Sequence, residues 1–250
     1  MYLPAGNCWN VKWSRERRVI ELIAFDADDT LWHNESLYRR GLERFNKILA
    51  RYEVVEVGKR QHEIEINNLQ YYGYGVSGFV LSLIEAAIEL TNGQILGKDI
   101  KDLVDLSKEM LTAQVELFEH VEQTLEELAK SYRLVLVTKG DLRHQESKVA
   151  RSGVKQYFQD IAIVSDKTPE TYSAILMKNQ TEPTHFLMVG DSLRSDILPV
   201  IQLGGRAVYI PNHGGWDHER VELSLEDEGR FFEIEHLGLL PDLVKQINSA

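Results

Sequence analysis

Three carboxylates crowd into four residues of this chain, Asp26, Asp28 and Asp29, and Thr30 follows them directly. Like charges at that density repel one another, and a buried group of them needs a cation to hold it. Carboxylate and backbone oxygens are the ligands that suit a hard divalent ion such as Mg²⁺. Carboxylates also have a chemistry of their own in phosphoryl transfer. One can attack phosphorus and form an aspartyl phosphate; a second can protonate the leaving oxygen and later activate water.

Three further segments carry groups of matching use: Thr138-Lys139-Gly140-Asp141, Asp166-Lys167-Thr168, and Gly190-Asp191-Ser192 with Asp196 five positions after Asp191. A hydroxyl, backbone N–H groups and a helix N-terminus hold phosphate oxygens. A lysine supplies a point charge for the attacking carboxylate and the transferring group.

Each of these segments follows a run of apolar residues. Residues 19–25, rich in Val, Ile, Leu and Phe, read as a buried parallel strand. Residues 134–137, 161–164, 186–189 and 207–210 read the same way, with a short strand at 231–234. Helices are predicted over 121–131, 142–152, from Pro169 onward, 192–203 and 239–247. Strands alternating with helices imply an α/β fold with a doubly wound, mostly parallel, Rossmann-like sheet. In such a sheet the carboxyl ends of the strands converge on one edge, which brings the polar segments together.

Between the first strand and the rest lies a different text. From Glu35 to about Gln114 apolar residues recur at helical spacing in four segments, the third stopping at Asn92-Gly93. The reading is an inserted α-helical domain over 35–118, with 1–34 and 119–250 forming the α/β core. The stretch from Tyr71 to Gly78, rich in tyrosine and glycine, is either a substrate-facing loop or a turn whose tyrosines fill the helical core.

The four polar segments resemble the motifs of the haloacid dehalogenase-like hydrolase superfamily, in order and spacing, over roughly residues 19–210. Phe25-Asp26-Ala27-Asp28-Asp29-Thr30-Leu31 matches its D-x-D-x-T signature; Thr138, Lys167 and the Asp191–Asp196 pair match the other three. The resemblance implies roles. Asp26 is the nucleophile and a Mg²⁺ ligand. Asp28 is the general acid and base, with its backbone carbonyl on Mg²⁺. Asp191 is a metal ligand, and Asp196 is an outer ligand or a partner of Lys167. Thr138, Lys167 and the N–H of Lys139 bind phosphate. His33, just past the first motif, is expected at the site mouth. The placement of the insert resembles the helical caps of this superfamily, which close over the site and supply selectivity.

Two positions depart from the usual pattern. Asp29 stands where many relatives have Gly, and Lys139 where Asn is common; Lys139 either pairs with Asp29 or reaches substrate. The activity implied is Mg²⁺-dependent hydrolysis of a small phosphorylated metabolite. Phosphomutase, phosphonate hydrolase and dehalogenase chemistry, or a non-catalytic binding role on the same scaffold, are the alternatives.

Composition narrows the partners. With 250 residues the chain can bury a large core. A formal charge of −11 and the lack of a basic stripe argue against nucleic acid. No apolar run approaches the ~20 residues of a membrane span, and the first residues do not read as a secretory signal. A single cysteine, Cys8, permits no internal disulfide and fits a cytoplasmic protein, a monomer or homodimer. His213, Trp216 and His218 fit no standard zinc spacing and read as a surface loop.

Overall fold

The computed structural model describes residues 19–211 and 229–249. Cys8, Trp9, Trp13 and the His213–His218 cluster lie outside them.

The core is a six-stranded sheet in the order β3-β2-β1-β4-β5-β6. Its strands are β1 (Leu22–Phe25), β2 (Arg133–Lys139), β3 (Asp160–Val164), β4 (Phe186–Gly190), β5 (Arg206–Tyr209) and β6 (Phe231–Glu233), every neighbouring pair parallel. Both faces are covered, so β1 is apolar throughout and β2 and β4 are apolar over Leu134–Val137 and Phe186–Val189. Ile23, Phe25, Leu134, Leu136, Leu187 and Val189 pack on one side against α5 (Val121–Ala129) and α9 (Leu240–Ser249). Leu22, Ala24, Val135, Val137 and Met188 face the other way, onto α7 (Pro169–Lys178) and α8 (Leu198–Gln202). Registry aligns Phe25 with Leu136 and Val189. Asp26 after β1, Thr138 near the end of β2 and Asp191 after β4 therefore lie close to one level of the same edge.

Between β1 and α5 the chain forms four helices, α1 (Glu35–Leu49), α2 (Val57–Tyr72), α3 (Val76–Leu90) and α4 (Gly97–Thr112). They bury a core of their own, built on Phe45, Leu49, Val76, Leu83, Leu103 and Met110. The turn between α2 and α3 needs glycine: Gly73 and Gly75 have φ of +66° and +134°, conformations that L side chains rarely adopt.

One expected helix differs. Residues 192–203 are not a single α-helix. They begin with a wide π turn, Leu193–Ile197, in which the N–H of Leu198 reaches back to the carbonyl of Leu193, and α8 starts after it. Pro199 has no N–H, so the carbonyl of Ser195 loses its helical donor. The hydroxyl of Tyr172 on α7 donates to that carbonyl instead, at 3.0 Å.

Candidate active site

Every strand end expected to carry chemistry does deliver it to one place. Asp26 follows β1 and is buried, its backbone N–H held by the carbonyl of Val189 on β4 at 2.9 Å. Lys167, in the loop after β3, is 4% exposed. Its ammonium pairs with Asp26 and lies 2.6 Å from Asp196 Oδ1. Asp196 thus meets Lys167, one of the two roles expected for it. Asp196 is fixed by the N–H of Ser192 at 3.1 Å, and its carboxylate lies so close over Gly190 that a Cβ there would overlap it. The π turn carries Asp196 into this position, and such turns recur at functional sites.

Asp26, Asp191 and Asp196 each offer an oxygen, all within 4.8 Å of one another. Three oxygen donors with one lysine leave excess negative charge in a buried place. The protonation balance reflects this. Burial pushes Asp26 up to about 7, with Lys167 opposing and Asp196 and Asp28 adding to the rise. Burial, then the charges of Asp26 and Asp196, raise Asp191 well above the usual carboxylate range. Lys167 loses by burial but gains more from Asp196 and Asp26, so it stays firmly cationic. This donor set suits a hard divalent cation such as Mg²⁺.

Asp28 goes elsewhere. Its carboxylate meets the ammonium of Lys148 at 2.5 and 2.6 Å, the amide of Gln145 at 3.0 Å and the indole N–H of Trp32 at 2.6 Å. Burial would raise its pKa; the charge of Lys148 and these three donors outweigh that and hold it below the ordinary value. Asp29 turns away again. Its carboxylate accepts the N–H groups of Asn34 and Glu35, each at 2.9 Å, and so caps the first turn of α1.

Thr138 is buried at the end of β2 and takes the amide of Gln145 at 2.7 Å. Lys139 does not pair with Asp29. It donates to Ser195 Oγ at 2.9 Å and sits 4.1 Å from the centre of the Tyr74 ring, across from the α2–α3 turn. Tyr72, Gly73, Tyr74 and Gly75 line the cleft, which supports the substrate-facing reading of that turn. The cleft holds about 260 Å³ and runs between Asp26, Asp28 and Lys167 on the core side and Glu35, Tyr38, Glu65 and Asn68 on the helical side. His33 is not brought to it. Its side chain is exposed, and its ring lies 3.9 Å from that of Phe118, because the backbone of residue 33 is tied outward to the carbonyl of Glu116.

Gln145 and Lys148 were not anticipated from the sequence. Both belong to α6 (Leu142–Arg151), whose N-cap is Asp141. Residues 141, 145 and 148 share one helix face, the one directed at the strand edge, and that spacing was the available signal.

Comparison with known proteins agrees with this geometry. The model of the haloacid dehalogenase-like hydrolases matches residues 20–204. The chain belongs to the haloacid dehalogenase-like hydrolase family. Within it, the chain is 28% identical over 212 residues to the N-acylneuraminate-9-phosphatase of Rattus norvegicus, covering 78% of this chain and 84% of that protein. A haloacid dehalogenase-like family hydrolase from Xanthomonas campestris superposes with a TM-score of 0.84 at 36% identity, covering 94% of each chain. A 2-haloacid dehalogenase from Pseudomonas syringae shares the fold at a TM-score of 0.61 and 23% identity, covering 91% of this chain and 99% of that one. Among the described residues of this family member, no helix is long and apolar enough to cross a membrane.

Proposed function

We propose that this hydrolase is a Mg²⁺-dependent phosphatase acting on a small phosphorylated metabolite through an aspartyl phosphate. The observation that carries this reading is the convergence of Asp26, Lys167, Asp191 and Asp196 at the floor of the cleft. The likeness to a phosphatase along most of the chain supports it.

Asp26 attacks phosphorus through one carboxylate oxygen as the bond to the leaving oxygen breaks. Asp28, ionised in the free site, takes up a proton as the anionic substrate binds beside it and gives that proton to the leaving oxygen, and the alcohol departs. Water then attacks the aspartyl phosphate, Asp28 takes the proton, and inorganic phosphate leaves with Asp26 restored. Lys167, Thr138 and the N–H of Lys139 hold the phosphate oxygens. Asp26 and Asp191, with the backbone carbonyl of Asp28, would hold Mg²⁺, which when bound offsets the charge gathered on the phosphate. Residues 35–118 act as a cap that shapes the cleft and sheds water, over a core of 1–34 and 119–250.

Dehalogenase chemistry is the weaker reading. It has no use for a proton on a leaving halide, so it leaves Asp28 and the acidic cluster without a task. Turnover of a panel of phosphorylated metabolites with Mg²⁺ tests the proposal. Asp26→Asn is expected to lower turnover by roughly 10³-fold or more. Full turnover in that variant would overturn the mechanism.

A further inference from the structure

We propose that Lys148 is a positioning residue that aims the carboxylate of Asp28 at the leaving oxygen. This rests on the reading that Asp28 handles the leaving group's proton. Asp28 is the one acid near the phosphate that must face outward, toward the substrate's alcohol, while Asp26 beside it faces inward to Lys167. A carboxylate in a turn has two rotatable bonds and no reason of its own to hold that direction.

The clamp around it supplies the reason. Lys148 is 5% exposed, and an ammonium has three donors. Lys148 has three close acceptors for them: Asp28 Oδ1 at 2.5 Å, Asp28 Oδ2 at 2.6 Å and Asn34 Oδ1 at 3.1 Å. With its donors occupied in this way, it holds Asp28 rather than a phosphate. Gln145 adds a donor to Asp28 Oδ2 and another to Thr138 Oγ1, which ties the leaving-group end of the site to its phosphate end. Trp32 closes the arrangement on Oδ1 at 2.6 Å. Asn34 immediately precedes α1, so the same ammonium also touches the point where the helical segment leaves the core.

A bracing role for the Lys148–Asp28 pair in the fold alone would slow all substrates alike. Aim matters only when the leaving oxygen needs a proton. The test therefore compares p-nitrophenyl phosphate, whose leaving group departs unprotonated, with phenyl phosphate and a primary alkyl phosphate that the wild type turns over. The quantity read is kcat/KM, which reports the step that expels the leaving group and is blind to later hydrolysis of the aspartyl phosphate. Lys148→Met is expected to lose less than about threefold on p-nitrophenyl phosphate and roughly 10- to 100-fold on the alkyl phosphate, with phenyl phosphate between. Lys148→Arg keeps the charge, and should Lys148→Met fail to fold it serves alone; a smaller loss with the same dependence on leaving group is expected. Equal losses on all three substrates, or none, overturn the proposal. If Asp28→Asn shows the graded loss and the Lys148 variants do not, the phosphatase reading survives and this inference falls. If the wild type turns over no phosphate ester with Mg²⁺, both fall.

Discussion

Asp26, Asp28 and Asp29 are neighbours in the chain and yet end in three different electrostatic environments, which is how the crowding of the first motif is relieved. Asp26 meets Lys167, Asp28 meets Lys148, and Asp29 meets the positive end of a helix. A helix cap of this kind is worth about 1 kcal/mol, which Asp29 adds at the junction into α1. Its φ of +63°, in the left-handed region, is tolerated by Asp because the short side chain bonds locally. The next acid, Glu35, has no such relief. Burial, then the charges of Asp29 and Glu65, push it up to about 7 from 4.5, with Arg39 opposing. A carboxyl that holds its proton more tightly when folded adds stability below its unfolded value and loses it as pH rises through the folded one. Stability from Glu35 is therefore lost between about pH 4.5 and 7. Glu35→Gln is expected to melt above the wild type at pH 8 and to lose that advantage at pH 4.5, measured by thermal unfolding across the range. An advantage of the same size at both ends would show that Glu35 carries no buried charge.

The elements that position these residues were legible to different degrees. Strands β1, β2 and β4 announce themselves because burial on both faces makes each an unbroken apolar run, and the polar group that ends each run marks the sheet edge. The four helices of the inserted segment were equally visible from their spacing. The side chains that α6 turns toward the edge were not. Gln145 and Lys148 stand among other polar residues, and nothing local separates a buried lysine from a solvated one. The π turn was hidden for a related reason, since the donor that compensates Pro199 comes from Tyr172 on another helix. A contact between elements also decides the fate of Lys139, which bridges the β2 edge to the α2–α3 turn through the Tyr74 ring. Such a contact is worth about 0.5–2 kcal/mol, or very roughly 2- to 30-fold in how firmly the turn is held beside Lys139. Tyr74→Ala is expected to lower kcat/KM by roughly 3- to 10-fold, within that range, while the melting temperature holds, because Tyr74 stands at the tip of a turn outside the helical core. An unchanged kcat/KM would remove this turn from the catalytic cycle.

For the molecule as a whole, the acidic cluster sets stability against function. Asp26 and Asp196 share one ammonium, Lys167, with Asp191 close beside them, in a chain that already carries a formal charge of −11. Buried like charges cost free energy, and that cost stays in the folded protein until a cation offsets it. A ligand that binds only the folded state stabilises it by about 2.7 kcal/mol at a hundred times its Kd. Thermal unfolding should therefore respond to Mg²⁺ and to the removal of one charge in opposite ways. Wild-type protein in EDTA is expected to melt several degrees below the same protein in saturating Mg²⁺. Asp191→Asn removes a carboxyl that burial and the charges of Asp26 and Asp196 make costly to ionise, so it is expected to melt above the wild type in EDTA and to gain little from Mg²⁺. Asp29→Ala serves as the contrast: its carboxylate lies outside the cluster, so it should lose the helix cap yet keep the full response to Mg²⁺. A wild type that melts alike in EDTA and millimolar Mg²⁺ would mean that the three carboxylates are balanced without a metal. The excess charge at the strand ends would then need another explanation.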